Sequence, residues 1–94
     1  SIVVPVYNCE AFLANAVESA VHLPQTGEII LVEDGSPDNA WQVCQQLNAK
    51  YPTKVRIFRH EGGVNKGAGA TRNLALSKVQ YPFIAFLDAD DYFL

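Results

Sequence analysis

The sequence predicts an α/β fold, a Rossmann-like parallel sheet with flanking helices. Two observations lead to this prediction. Short apolar runs alternate along the chain with segments whose apolar residues recur at helical spacing, which is the pattern of repeated β-α-β units. The runs at 29–32 and 83–87 contain no polar residue, as expected for parallel strands that are covered on both faces.

The strands are expected near residues 2–5, 29–33, 55–59 and 83–87. Because the third strand contains Arg56 and Arg59, we place it at an edge of the sheet. Right-handed crossovers then give the strand order 3-2-1-4, which is the order of a nucleotide-binding half. The order reverses between strands 1 and 4, so a crevice is expected at their carboxyl ends.

Helices are expected in the three connections between the strands. The first follows Asn8 as its N-cap and carries apolar residues at helical spacing over 12–21. The second is expected to begin at Pro37, with Ser36 as its N-cap. The third follows the glycine-rich loop at 62–69.

Composition argues against several classes of function. The formal net charge is −3 and no basic run is present, which argues against a nucleic-acid partner. No signal peptide is visible, and no apolar run is long enough to span a bilayer. Cys9 and Cys44 have neither metal-site spacing nor a disulfide framework, which suits a reducing compartment. We therefore expect a cytoplasmic protein, and because neither end carries a polar tail, we expect these residues to be part of a longer chain.

An acidic turn follows the last strand and contains Asp88, Asp90 and Asp91. Repulsion among these carboxylates favours a bound cation, and a hard divalent ion takes oxygen ligands of this kind. Asp88 and Asp90 are the metal candidates, because an Asp-x-Asp pair at a strand end can place two carboxylates around one ion. The alternative is a solvated acidic turn in which Asp91 caps the segment that follows. The expected crevice favours the metal.

Polar or aromatic side chains also follow strands 1 and 2. Asp34 is suited to accept hydrogen bonds from a base or a ribose, and Tyr7 is suited to stack on a nucleobase. Taken alone, each is better explained by a structural role, Asp34 in an Asp-Gly-Ser turn and Tyr7 in packing below the sheet. Their shared position at strand ends is what makes them candidates.

The glycine-rich loop resembles two phosphate-binding motifs without matching either. Residues 67–72 nearly fit a dinucleotide-binding fingerprint, but Arg72 stands in place of the third glycine and the loop follows the third strand, not the first. Lys66 is not followed by Ser or Thr, so the loop is not a Walker loop. Lys66 and Arg72 are still candidates for offsetting phosphate charge beside a helix N-terminus. A tight strand-to-helix turn is the alternative reading of the glycines.

Nucleophilic catalysis has no support in the sequence, because no Ser-His-Asp or Cys-His arrangement is evident. His22 and His60 stand alone and are expected to have no role in chemistry. Trp41 is expected to pack against its neighbours.

Motifs along essentially the whole chain resemble the family 2 glycosyltransferases of the GT-A fold. They are VPVYN at 4–8, VEDGSPD at 32–38, NKG and ATRN within 65–73, and FLDADD at 86–91. The resemblance implies the N-terminal, nucleotide-sugar-binding half of a GT-A domain. It also implies a Mn²⁺ or Mg²⁺ cofactor and inversion at the anomeric carbon.

The same resemblance implies a role for each matching residue. Pro5 and Tyr7 would line the nucleobase of the donor, and Asp34 would hydrogen-bond to that nucleobase. Asp88 would approach the ribose or the metal, and Asp90 would hold the ion against the diphosphate. Members of the family need a general base to deprotonate the acceptor.

The expected function is transfer of a sugar from a nucleotide-sugar donor, a UDP-sugar, to a saccharide or lipid-linked acceptor, as in polysaccharide biosynthesis. The general base is expected beyond Leu94, so no catalytic residue is assigned and the 94 residues alone are expected to be inactive. Glu33 stands where the family more often has a second Asp, and its role is open. The alternative function is a non-catalytic nucleotide- or dinucleotide-binding module, and Arg72 with the Asp-x-Asp pair favours the transferase. A location at the inner face of the membrane and a homo-oligomer are left open.

Overall fold

A parallel sheet forms the centre of the molecule. The computed structural model describes residues 1–7, 10–24, 26–81 and 83–87. Their strands are in the spatial order 3-2-1-4, and all the pairings are parallel. The expected order is confirmed, with the arginine-containing third strand at an edge. In chain order the strands are β1 Ile2–Val6, β2 Ile29–Glu33, β3 Val55–Arg59 and β4 Ala85–Phe86.

Helices cover both faces of this sheet. α1 (Glu10–Val21) and α2 (Ala40–Lys50) pack on one face, and α3 (Ala68–Lys78) packs on the other. A single 3₁₀ turn, Glu61–Gly63, precedes α3. Within the described part of the chain, no helix is both long enough and apolar enough to cross a membrane.

Alternate strand residues contribute to two separate cores. Val4 and Leu31 belong to the larger core with α1 and α2, while Val3 and Ile30 belong to the smaller core with α3. Successive side chains of a strand point to opposite faces, so a strand covered on both sides needs apolar residues at every position. This explains the unbroken apolar runs of β1 and β2.

The last strand differs from the prediction in length and in burial. It is restricted to Ala85–Phe86, and Phe83 beside it is 86% exposed. Ile84 and Phe86 are exposed as well. The expectation of a strand covered on both faces is therefore wrong for these residues. Within the described residues β4 pairs only with β1, so it is an edge strand with one neighbour.

The second helix begins later than predicted, at Ala40 instead of Pro37. Ser36 does not cap it. The Ser36 N–H donates to the Glu33 carboxylate, so the turn after β2 is closed before the helix starts. Asn39 occupies the N-cap position without a side-chain capping bond.

The amino ends of α1 and α2 cap each other. One Asp38 oxygen accepts the Ala40 N–H at 3.1 Å, and the other accepts the Glu10 N–H at 3.0 Å. The Glu10 carboxylate in turn accepts the Asn39 N–H at 3.2 Å. These bonds satisfy orphan N–H groups of both helices and fix their first turns side by side.

Candidate functional site

The carboxyl ends of all the strands lie at one edge of the parallel sheet, and the candidate residues follow those ends. Tyr7 follows β1 and is 53% exposed, and Asp34 follows β2. His60 follows β3, and Leu87 follows β4. A ligand site is expected at this edge where the strand order reverses, which is between β1 and β4.

Pro5 interrupts the hydrogen-bond ladder between β1 and β4 on its donor side. The N–H groups of Ala85 and Leu87 donate to the carbonyls of Ser1 and Val3, both at 2.9 Å, so odd-numbered residues of β1 face β4. Continued pairing would need an N–H from residue 5 to the Leu87 carbonyl, and proline has none. The Leu87 carbonyl therefore receives no N–H from residue 5, at the mouth of the expected crevice.

Asp34 fastens the glycine-rich loop to the end of β2. Its Oδ1 accepts the Lys66 backbone N–H at 2.7 Å. Its Oδ2 and its backbone carbonyl both lie within bonding distance of the Asn65 side-chain amide, at 3.3 and 2.9 Å. Asp34 is only 7% exposed, so these bonds form away from bulk water. The turn residue foreseen from the sequence is thus also a clamp on residues 65–66.

Gly35 allows the loop to approach this closely. Its φ is +64°, a conformation that side chains disfavour. A Cβ at this position would lie 2.3 Å from the Asn65 nitrogen and 2.7 Å from the Val64 carbonyl carbon. Any other residue here would push the loop off the strand end.

His60 belongs to the same cluster, although no role is expected for it from the sequence. Its Nε2 lies 3.1 Å from the Thr71 hydroxyl oxygen and 3.4 Å from Asp34 Oδ1. His60 and Thr71 are both buried. The one sequence signal for His60 was its position directly after β3, at the same edge as Asp34. No motif or spacing distinguished it from a core histidine.

The two basic candidates are exposed beside this cluster. The Lys66 side chain is exposed while its backbone N–H is held by Asp34. The Arg72 guanidinium carbon lies 5.2 Å from the centre of the Phe86 ring, which is a cation–π arrangement. Arg72 therefore extends from α3 towards β4.

The proposed metal ligands Asp88 and Asp90 lie outside the described residues. Leu87, the last described residue, donates its N–H to the Val3 carbonyl and so lies at the candidate edge of the sheet. Among the described residues, no group of three or more His, Cys, Asp or Glu side chains could hold a metal ion. The described carboxylates of Asp34 and Glu33 already accept protein N–H groups.

Comparison with known proteins identifies relatives of this architecture. The model of the family described as "Glycosyl transferase family 2" matches residues 1–94. The minor teichoic acid biosynthesis protein GgaA of Bacillus subtilis is 38% identical, over 99% of this chain and 22% of its own length. An Escherichia coli protein named UDP-Glc:alpha-D-GlcNAc-diphosphoundecaprenol beta-1,3-glucosyltransferase WfaP is 35% identical, over 100% of this chain and 36% of its own length.

A solved structure shares both the fold and the sequence pattern. The crystal structure of S. aureus TarS 1-349 in complex with UDP-GlcNAc superimposes with a TM-score of 0.80 at 30% identity. The match covers 97% of this chain and 26% of that one. The chain thus spans well under half the length of the relatives that it matches.

Proposed function

The chain belongs to glycosyl transferase family 2, and from this premise we propose that it is the donor-binding part of an inverting glycosyltransferase. The enzyme transfers a sugar from a UDP-sugar to an acceptor hydroxyl. The observation that carries the proposal is the convergence of Tyr7, Asp34 and the Lys66 loop at the carboxyl edge of the sheet. Such an edge, where the strand order reverses, is where nucleotides bind in open α/β sheets.

The choice of a UDP-sugar rests on the relatives. TarS, at 30% identity, is described in complex with UDP-GlcNAc, and the name of WfaP specifies UDP-Glc. Exposed Tyr7 offers a ring for stacking on the uracil, with Pro5 beside it on β1. Among the described residues, Asp34 Oδ2 accepts one long hydrogen bond, at 3.3 Å, so it retains capacity to accept an N–H from the nucleobase.

The diphosphate is proposed to meet cations at the opposite side of the crevice. Lys66 and Arg72 supply positive charge, and the N-terminus of α3 adds its dipole. Asp88 and Asp90 are proposed to hold Mn²⁺ or Mg²⁺, with Asp88 also close to the ribose. When bound, the ion supplies charge stabilisation for the departing nucleoside diphosphate.

The acceptor and the general base are proposed to lie with residues beyond Leu94. Deprotonation of an acceptor hydroxyl needs a base within hydrogen-bond reach of it. Asp34, Asp88 and Asp90, which follow strands at this edge, are assigned to the nucleobase, the loop and the metal, and a carboxylate that holds a cation is a poor proton acceptor. We propose a saccharide or lipid-linked acceptor, since the name of WfaP specifies a diphosphoundecaprenol-linked one. Such an acceptor would place the enzyme in the cytoplasm at the inner face of the membrane.

A thermal-shift experiment separates this proposal from a dinucleotide-binding module. UDP with Mn²⁺ should raise the melting temperature of the full-length protein, and NAD at the same concentration should leave it unchanged. GDP with Mn²⁺ is the matched control for the choice of nucleobase and should give a smaller shift in melting temperature. A shift with NAD and none with UDP would overturn the proposal.

A further inference from the structure

His60 is a buried histidine that the proposed function does not use. It is 7% exposed and lies at the carboxyl end of β3, next to Asp34 from β2 and Thr71 from α3. The three side chains come from three different elements. Aspartate is almost never fully buried unless it is paired, so the meeting of Asp34 with His60 at the candidate edge needs a physical reason.

The geometry favours a proton on the His60 nitrogen that faces the cluster. Nε2 lies 3.4 Å from Asp34 Oδ1 and 3.1 Å from the Thr71 hydroxyl oxygen. A bare Nε2 lone pair would repel the carboxylate at this distance, whereas an N–H is attracted to both oxygens. His60 therefore draws Asp34 Oδ1 towards α3 and restrains its side-chain rotamer.

The restrained oxygen is the same one that holds the loop. Asp34 Oδ1 accepts the Lys66 N–H at 2.7 Å, so a rotamer change that moves the carboxylate away from the loop breaks the bond. Lys66 in turn carries an exposed side chain at the candidate site. A chain of contacts thus runs from Thr71 through His60 and Asp34 to the Lys66 backbone.

We propose that His60 is a positioning residue for donor binding. It fixes the Asp34 carboxylate so that the loop at 64–67 is held against the end of β2, with Lys66 aimed at the diphosphate. His60 touches neither the donor nor the reacting atoms. The inference rests on the proposed function for its ligand, but its effect on the loop does not depend on which ligand binds.

The test compares His60→Leu with His60→Gln in the full-length protein. Glutamine retains an N–H donor of similar reach, and leucine removes it. Calorimetric titration with UDP and Mn²⁺ should show about tenfold weaker binding for His60→Leu. His60→Gln should recover most of the loss. Hydrogen–deuterium exchange over residues 64–67 should become faster in His60→Leu but not in His60→Gln.

Leu47→Ala is the control for general destabilisation. Leu47 is a core residue of α2 near the opposite end of the sheet, so its truncation should lower the melting temperature without changing UDP affinity or loop exchange. Thr71→Val removes only the hydroxyl that contacts His60, and it should also weaken UDP binding. It replaces His60→Leu as the test if His60→Leu does not fold.

The outcomes separate the two proposals. Unchanged UDP affinity and loop exchange in His60→Leu, or in Thr71→Val if His60→Leu does not fold, would overturn the positioning role. Equal effects in Leu47→Ala would do the same. If the wild-type protein bound no UDP, the proposed donor would be wrong, and faster exchange over 64–67 would still support the positioning role.

Discussion

At the scale of single residues, Asp90 carries the sharpest expectation. Asp90→Asn should retain the fold and the metal-independent part of UDP binding, because only the metal is assigned to this side chain. The gain in UDP affinity on adding Mn²⁺ should disappear. Isothermal titration calorimetry with and without Mn²⁺ measures both parts. Asp91→Asn is the matched control and should keep the gain. Equal UDP affinity with and without Mn²⁺ in wild type and variant alike would show that Asp90 holds no ion.

Asp34 and His60 show what residue-level reasoning can reach. The turn position of Asp34 is readable from the sequence, because Asp-Gly-Ser after an apolar strand is typical of a turn, while its role towards a nucleotide stays a prediction. The cluster around His60 is not predictable from the sequence. Its partners Asp34 and Thr71 are distant from it along the chain, and a single histidine forms no motif whose spacing could be recognised. The bond between Asp34 and Lys66 is not predictable from the sequence either, because it uses a backbone N–H, which every residue except proline carries.

At the scale of elements, Pro5 removes one donor from the hydrogen-bond ladder between β1 and β4. Pro5→Ala should restore an N–H and add one hydrogen bond to the Leu87 carbonyl, so that the strands stay together further towards the site. The narrower crevice should weaken UDP binding, and the new amide should exchange slowly with deuterium. Pro24→Ala is the control, because it removes a proline from a turn outside the sheet. A fast-exchanging amide at residue 5 would contradict the ladder argument.

The paired helix caps give a second expectation at this scale. Asp38→Ala removes one bond from the first turn of α1 and one from α2, and should lower the free energy of unfolding by about 1–2 kcal/mol. Urea unfolding monitored by circular dichroism measures the loss. Pro37→Ala beside it is the control and should change the unfolding free energy much less. A loss no larger than that of the control would mean that the mutual caps contribute little.

The elements differ in how far the sequence determines them. The order 3-2-1-4 was predictable because Arg56 and Arg59 mark an edge and short connections restrict the topology. The predicted start of α2 is wrong because the Glu33 carboxylate accepts the Ser36 N–H, a contact that helix and capping propensities do not include. The burial of β4 was misjudged for a similar reason, since an apolar run does not reveal how many neighbours a strand has.

At the scale of the whole molecule, Glu28 ties together the end of the sheet opposite the candidate site. Burial raises the pKa of Glu28, but hydrogen bonds from Ser1, the Gln80 N–H and Arg56 outweigh it, and the net pKa is lowered from 4.5. Arg56 also donates to the Lys78 carbonyl, which joins β3 to the end of α3. The ionised carboxylate, which directly precedes β2, therefore binds the residue before β1, an arginine of β3 and the segment after α3.

The lowered pKa sets the direction of the pH dependence. A carboxylate whose pKa is lower in the folded state stabilises the fold above its unfolded-state pKa, and this contribution is lost as the pH falls through the folded-state pKa. Glu28→Gln should cost about 2 kcal/mol at neutral pH, and its difference from wild type should shrink in acid. Chemical unfolding at about pH 7 and about pH 3 measures this. A difference in unfolding free energy between wild type and Glu28→Gln that stayed the same at both pH values would contradict the account.

The molecule as a whole is proposed to supply the donor side of a transfer reaction and to depend on further residues for the acceptor side. The measurement that tests this most directly is sugar transfer, with the 94-residue chain and the full-length protein compared side by side. Both are incubated with radiolabelled UDP-sugars, Mn²⁺ and a panel of saccharide and lipid-linked acceptors. The account predicts labelled product from the full-length protein and none above a protein-free control from the 94 residues, because no base lies within reach of an acceptor hydroxyl. Robust transfer by the 94 residues, lost in Asp90→Asn, would place the base within them and contradict the account.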